Sequence, residues 1–188
     1  MTDYGSLFAT LEDVVRASAS PSAGWGAVLD EAERHGALPP ELRAWDVAGE
    51  VVGLRDTLEE VMRREPVPPE VRFIWLGLFD ARDEETDAPV AGFYVGGGTG
   101  DAPEMDGAEG RLTYLPEARY LISPLLDAIQ AASERDGYDP TLMSYALVFG
   151  AAALLARHAT EGLLDDRALV VGFDEGDRAI IRRPQSEG

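Results

Sequence analysis

The 188-residue chain has no cysteine, no lysine and no asparagine, only two histidines, and no unbroken run of 18 apolar residues. The missing cysteine removes disulfides, thiolate nucleophiles and every cysteine-containing zinc or iron–sulfur site. Without lysine, the phosphate loop G-x-x-x-x-G-K-[S/T] cannot be completed. All 16 basic residues are arginine, and with plentiful Ala, Gly, Pro and Val this bias resembles the output of a GC-rich bacterial genome. No apolar span is present, and Met1 leads into Thr2, Asp3 and Tyr4 rather than into a basic and then apolar leader. A cytoplasmic protein with no membrane contact is the expectation.

Positive charge is the scarcest commodity, 16 arginines facing 35 acids for a net charge of −19. Residues 71–110 are the most acidic stretch, with nine acids against two arginines. Binding to nucleic-acid backbones or anionic lipids needs cations to neutralise phosphate, so direct nucleic-acid binding is not expected.

Catalytic constellations are scarce as well. His35 and His158 both fall near the ends of predicted helices, where the helix dipole favours an imidazolium as a cap. No H-E-x-x-H and no G-x-S-x-G occurs, which leaves zincins and serine hydrolases without support. A hydrolase built from two acids on different loops leaves no spacing signature in a sequence and stays as an alternative.

What is present reads as helices, then strands, then helices, then strands. Leu7, Phe8, Leu11, Val14 and Val15 share one face of a 3.6-residue period, as do Trp25, Val28, Leu29 and Ala32, and then Val51, Leu54, Leu58, Val61 and Met62. On the outer side of the third helix, Glu59 with Arg63 and Glu60 with Arg64 are spaced to pair at i,i+4. The prolines of "EPVPPE", residues 65–70, stop that helix. "VRFIWLGLFDA" is apolar on both alternating faces, Phe73, Trp75 and Phe79 against Ile74, Leu76 and Leu78, which predicts a central strand covered on both sides. "VAGFYVG" and "RLTYL" read as the second and third strands.

Ser123–Pro124 and Asp139–Pro140 each put a capping side chain before a proline suited to the first helical position. The helix after Asp139 is apolar nearly all round from Leu142 to Ala156 and should run through the middle of the fold. "RALVVGFDEGDRAII" reads as a closing hairpin. The expected fold class is α+β: amino-terminal helices, a mainly antiparallel sheet of about five strands, and two helices inserted before a C-terminal hairpin. One domain is expected, with a helical segment 1–66, a sheet with two helices over 67–184 and a tail 185–188. The amino-terminal helices should bury their stripes against the sheet. Trp75, Phe93, Tyr94, Tyr114, Tyr145 and Phe149 read as core, and lining a ligand pocket is their alternative role.

The glycine-rich stretch "VAGFYVGGGTGDAPEMDGAEGRL", residues 90–112, follows the second strand. A dinucleotide fingerprint beginning at Gly96 or Gly98 fails on Asp101 or Pro103, where a glycine is required. Calcium-type oxygen ligands occur at Asp101, Glu104, Asp106 and Glu109, but aligning Gly107 with the EF-hand glycine puts Ala102 at the first ligand position. No metal and no cofactor is expected. The plain reading is a solvated connection whose glycines allow turns.

The distinctive feature is acid at the ends of strands: Asp83, Glu84, Glu85 and Asp87 in one loop, Asp101, Glu104, Asp106 and Glu109 in the next. A meander places these loops at opposite ends of the sheet, so each would meet a partner separately. Complementary charge speeds encounter and selects partners. The expected function is a non-enzymatic, acidic protein-binding module for a basic protein partner, with toxin neutralisation of the immunity type as its concrete form. The alternatives are a DNA-mimicking inhibitor, a carboxylate-based hydrolase and a small-molecule binder.

Overall fold

The computed structural model describes residues 4–100, 112–173 and 178–184. Helices α1 (Tyr4–Ala17), α2 (Pro21–Glu33) and α3 (Val47–Arg64) come first, with a 3-10 turn at Pro40–Ala44 before α3. Their starts follow from local chemistry. Ser20 accepts from the Ala23 amide with Pro21 in the first turn, and Asp46 accepts from the Gly49 amide. Strands β1 (Phe73–Arg82), β2 (Pro89–Gly98) and β3 (Tyr120–Ile122) follow, then α4 (Pro124–Ser133), a π-helical turn (Leu142–Leu147) leading into α5 (Val148–Ala159), and strands β4 (Ala168–Phe173) and β5 (Arg178–Arg182).

The sheet order is β3-β2-β1-β4-β5, with β1 in the centre as its two apolar faces demand. Three of the four pairings are antiparallel, and β1 with β4 is parallel. A parallel pair needs a long crossover, and α4 and α5 lie in the connection that leads to β4. The fold is α+β, as the order of patterns in the sequence requires.

Two features differ from expectation. The third strand is Tyr120–Ile122, while the described part of "RLTYL", from Leu112 on, contributes a single bridge from Tyr114 to Gly97, and Pro116 interrupts it directly after Leu115. The amino-terminal helices do not lie mainly on the sheet. All three pack on α5, which lies between them and the strands, and α5 is buried at every residue from Val148 to Ala156. The π turn and α5 together make an apolar helix, Leu142–Ala159, long enough to cross a membrane by length and composition, yet 83% of it is buried inside the fold. One apolar cluster runs from α1 through α5 to Ile181. A second, smaller one holds Phe73, Trp75, Tyr94, Ala168 and Val170 on the opposite face of the sheet.

Both expected capping prolines are in place, with Ser123 accepting from Leu126 N and Asp139 from the Thr141 and Leu142 amides. The surface ion pairs of α3 are rearranged, since Glu60 takes both Arg63 and Arg64 while Glu59 takes Arg55. Such pairs contribute little individually.

Candidate functional site

The hairpin joining β1 to β2 carries Asp83, Glu84, Glu85 and Asp87, and its chemistry separates the four. Asp83 holds the turn. Its Oδ1 accepts from the Glu85 amide (3.1 Å), the Thr86 amide (2.8 Å) and the Thr86 hydroxyl (2.8 Å). Those bonds, the Thr86 hydroxyl first, hold its carboxyl below the usual range. Asp87 adopts φ 56°, a left-handed conformation that aspartate tolerates, and its carbonyl accepts from Arg82 Nη1 at 2.7 Å. Arg82 also pairs with Glu134 of α4 and so ties the hairpin to a helix. Glu84 and Glu85 are exposed and form no ion pair among the described residues. The loop therefore displays the carboxylates of Glu84, Glu85 and Asp87 to solvent, Asp87 at the margin of Arg82's reach, on a turn held by the Asp83 carboxylate and the Asp87 carbonyl. The remaining candidates, Asp101, Glu104, Asp106 and Glu109, lie outside the described residues, and so does the calcium arrangement weighed there. β2 ends at Gly98, paired with Phe73, at the end of the sheet opposite the Asp83 turn.

Sequence reasoning missed the apolar surface beside this hairpin. Tyr120 and Ile122 on the edge strand β3 are 58% and 52% exposed, high values for large apolar side chains in a sheet. In the register Phe79↔Gly92↔Ile122, Gly92 lets the β3 backbone approach closely, a Cβ there lying 2.0 Å from Leu121 O, and the Phe79 ring meets Tyr120 edge-on at 5.5 Å. Arg119 lies over the other side of the Tyr120 ring, 5.0 Å from its centroid. Three strand residues separate Phe79 from Asp83, four rises or about 13 Å at the usual spacing. Acids and aromatic patch thus occupy the same end of the sheet. A signal was available in "RYLIS", whose period-two alternation lies between Pro116 and Pro124.

Between β3 and α3 runs a groove of about 340 Å³, lined by Glu50, Gly53, Leu54 and Thr57 on the helix and by residues 120–124 on the strand side. Glu50 closes one part of it and is already engaged, accepting from Trp45 Nε1 at 2.8 Å, from the Ser123 hydroxyl and from the Leu125 amide. Asp127 lies nearby, accepting from the Ala91 amide, and burial raises its carboxyl with a further contribution from Glu50. A pair of neighbouring carboxylates could do acid–base work if one were free. Here each holds backbone amides, which is a clamp rather than a catalytic dyad.

A second pocket of about 290 Å³ gathers Arg16, Arg157 and Arg182 with Glu161 and Asp165. Arg16 donates to the Ile180 carbonyl of β5, and the other two guanidiniums hold the ends of helices. Arg157 donates to the Val15 and Arg16 carbonyls, while Arg182 donates to the Thr160 and Leu164 carbonyls and pairs with Asp165 at 2.9 Å. Burial makes Arg182 less basic, and its Nε is buried without a partner among the described residues. Neither Trp75 nor Tyr145, the suggested ligand walls, lines the grooves at Glu50, Arg157 or Arg82. Trp75 is fully buried, and Tyr145 stacks on Phe173 and packs against Phe8.

Of the two histidines, His158 departs from the expected imidazolium cap. His35 lies just beyond α2, 3.6 Å from Glu31. His158 is in the last turn of α5, but its Nε2 bonds the Ser18 hydroxyl at 3.0 Å, and burial followed by the nearby Arg157 lowers its pKa, with Glu161 opposing. The neutral imidazole is therefore favoured in the fold. Unfolded His158 binds a proton first, so stability present above its ordinary pKa near 6.5 is lost as pH falls below that value. His158→Gln should flatten this dependence between about pH 7 and pH 5 in urea unfolding run at a series of pH values. An unchanged slope would mean that His158 is not desolvated.

Comparison of the chain with protein-family models, with curated proteins and with solved structures finds no match in any of the three.

Proposed function

We propose that the protein is a non-enzymatic binding module for a basic partner protein, toxin neutralisation being its most concrete form. The observation that supports it is the pairing, at one end of the sheet, of a fixed hairpin tip displaying Glu84 and Glu85 with an exposed patch of Phe79, Tyr120 and Ile122. Interfaces draw affinity from aromatic anchors and draw encounter rate and selectivity from charge. A chain of net charge −19 selects a basic partner by the same electrostatics.

Two alternatives fare worse on particular contacts. A DNA mimic needs unpaired carboxylates spaced like phosphates along one face. On the described helices, many acids are instead neutralised by arginine, Asp30 and Glu33 by Arg43 and Glu60 by Arg63 and Arg64 among them. A carboxylate hydrolase would use Glu50 and Asp127, whose oxygens hold the starts of α4 and β2.

The experiment is capture from native lysate on the immobilised chain at low and high salt, alongside the double variant Glu84→Arg, Glu85→Arg. We expect a basic protein retained at low salt, released by salt, and bound at least about tenfold more slowly by the double variant. Absence of any salt-sensitive basic partner, or indifference of that partner to the charge reversal, overturns the proposal.

A further inference from the structure

The edge strand beside the acidic hairpin offers more than side chains. In the antiparallel pair of β2 and β3, Arg119 accepts from Val95 and Ser123 donates to Ala91, so residues 119, 121 and 123 face β2 with their backbone groups. Alternation then turns the N–H and C=O of Tyr120 and Ile122 outward, and no described residue bonds them. Edge strands are ordinarily guarded by charge, proline or a covering element. This one presents an exposed aromatic and an exposed isoleucine above the sheet and an open groove on its other flank.

The far wall of that groove is α3, whose Glu50, Gly53, Leu54 and Thr57 recur at i, i+3, i+4 and i+7 along one stripe. Gly53 sits mid-helix, and a Cβ built there meets nothing within 4 Å. Glycine destabilises an exposed helix interior, and no packing within the chain calls for it here. Gly26 in α2 has the same open Cβ, so Gly53 counts only together with the unpaired edge opposite. A strand laid against β3 would pass close to the α3 backbone, and glycine keeps that path clear. Among the described residues, Glu50 is the one charged side chain lining the groove.

We propose that the partner docks by strand addition: an extended segment, alternating apolar residues and flanked by arginine or lysine, pairs with the outward backbone of Tyr120 and Ile122 and places alternate side chains in the α3 groove. Backbone pairing gives such a complex its affinity and the groove gives it selectivity. The basic flank matches the net charge of −19, Glu50 being committed to its own donors. This deepens the proposed function and rests on it for the chemistry of the partner.

The test uses the full chain and a phage-displayed library of 12-residue peptides, with binding of the selected peptides measured by fluorescence anisotropy. Selected peptides should alternate apolar residues beside arginine or lysine. Gly53→Phe fills the groove at a site with free space, and Ile122→Pro removes an outward donor while leaving the β2 pairing intact. Each should weaken binding at least about tenfold, whereas Val52→Phe, exposed on α3 but outside the groove, should bind like the parent. Backbone N-methylation of the peptide should abolish binding at alternate positions only, a pattern that side-chain docking alone does not produce.

Several results overturn the inference: selected peptides indifferent to both Gly53→Phe and Ile122→Pro, equal effects of methylation at every position, or a dimer of this chain that those variants dissolve. Gly53→Phe keeps the test decisive if the proline variant fails to fold. If the lysate partner is lost with Glu84→Arg, Glu85→Arg but kept by the groove variants, strand addition falls and acidic docking stands. If the groove variants abolish binding while salt and charge reversal do nothing, strand addition stands and the acidic reading falls.

Discussion

Replacing Gly77 with alanine should cost about 3 kcal/mol of stability, a large loss for one methyl group. A Cβ at this position would lie 2.1 Å from Tyr94 Cε1, 2.2 Å from Cζ and 2.3 Å from Trp75 Nε1. Gly77 and Tyr94 are direct cross-strand partners on the face that buries Trp75, and the tyrosine ring lies over the bare Cα. Its hydroxyl accepts from Trp75 Nε1 at 2.8 Å. Any side chain at 77 lifts the ring, adds overpacking strain of about 1–3 kcal/mol, and strands a buried indole donor at a similar cost. Tyr94→Phe keeps the ring, removes the acceptor for Trp75 Nε1, and should cost at least about 1–2 kcal/mol. Because both changes break the same hydrogen bond, the double variant should lose less than the sum of the singles. Urea unfolding of the four chains measures this, and a Gly77→Ala loss below about 0.5 kcal/mol, the size of an ordinary surface change, would mean the ring is free to move.

The same strand shows what a sequence can and cannot disclose. β1 was legible because both its faces are apolar, and only a central strand needs that. The π turn and α5 were legible by the same logic, since a helix apolar on all sides has nowhere to sit but inside. The caps at Ser123 and Asp139 were legible because they are local: the side chain, the proline and the first amides lie within four residues. The parallel pairing of β1 with β4 was not legible. It joins residues almost a hundred positions apart, and the alternation in "RALVVGF" is the same for either direction.

The third strand was misplaced for a related reason, as "RLTYL" and "RYLIS" both alternate and only the second reaches β2 over three residues. The acids illustrate a further limit. Composition identifies Asp83, Glu84, Glu85 and Asp87 as one charged run, yet only three-dimensional contacts separate the Asp83 carboxylate, which folds the loop, from the three that face solvent. The exposed Tyr120 and Ile122 were invisible because exposure is a property of neighbours, and theirs are a glycine and an uncovered edge.

Glu50→Ala should cost about 2–3 kcal/mol, although Glu50 carries no sequence signature beyond its place near the start of α3. Pro124 occupies the first turn of α4 and has no N–H to offer, so the first amide there that needs an acceptor is that of Leu125. Glu50 supplies both oxygens to it, at 3.2 and 3.1 Å, while Ser123 caps Leu126. The same carboxylate holds the Trp45 indole and the buried Ser123 hydroxyl. Alanine leaves all three part-buried donors without it, and an unsatisfied donor costs about 1–3 kcal/mol before relaxation and water entering from the groove recover part of the loss. Glu50→Gln retains the length and one carbonyl oxygen but turns an amide NH₂ toward the donors, so it should recover only part of the loss. Thermal unfolding ranks the three proteins, and hydrogen exchange locates the effect: faster exchange at the Leu125 and Leu126 amides, with β1 unchanged, marks a local loosening of the α4 start. Ser123 is the residue that joins β3 to α4, so the same loosening should widen the groove beside Ile122 and weaken peptide binding in parallel. A variant as stable as the parent, with those amides still protected, would show that the α4 start is held by Ser123 alone.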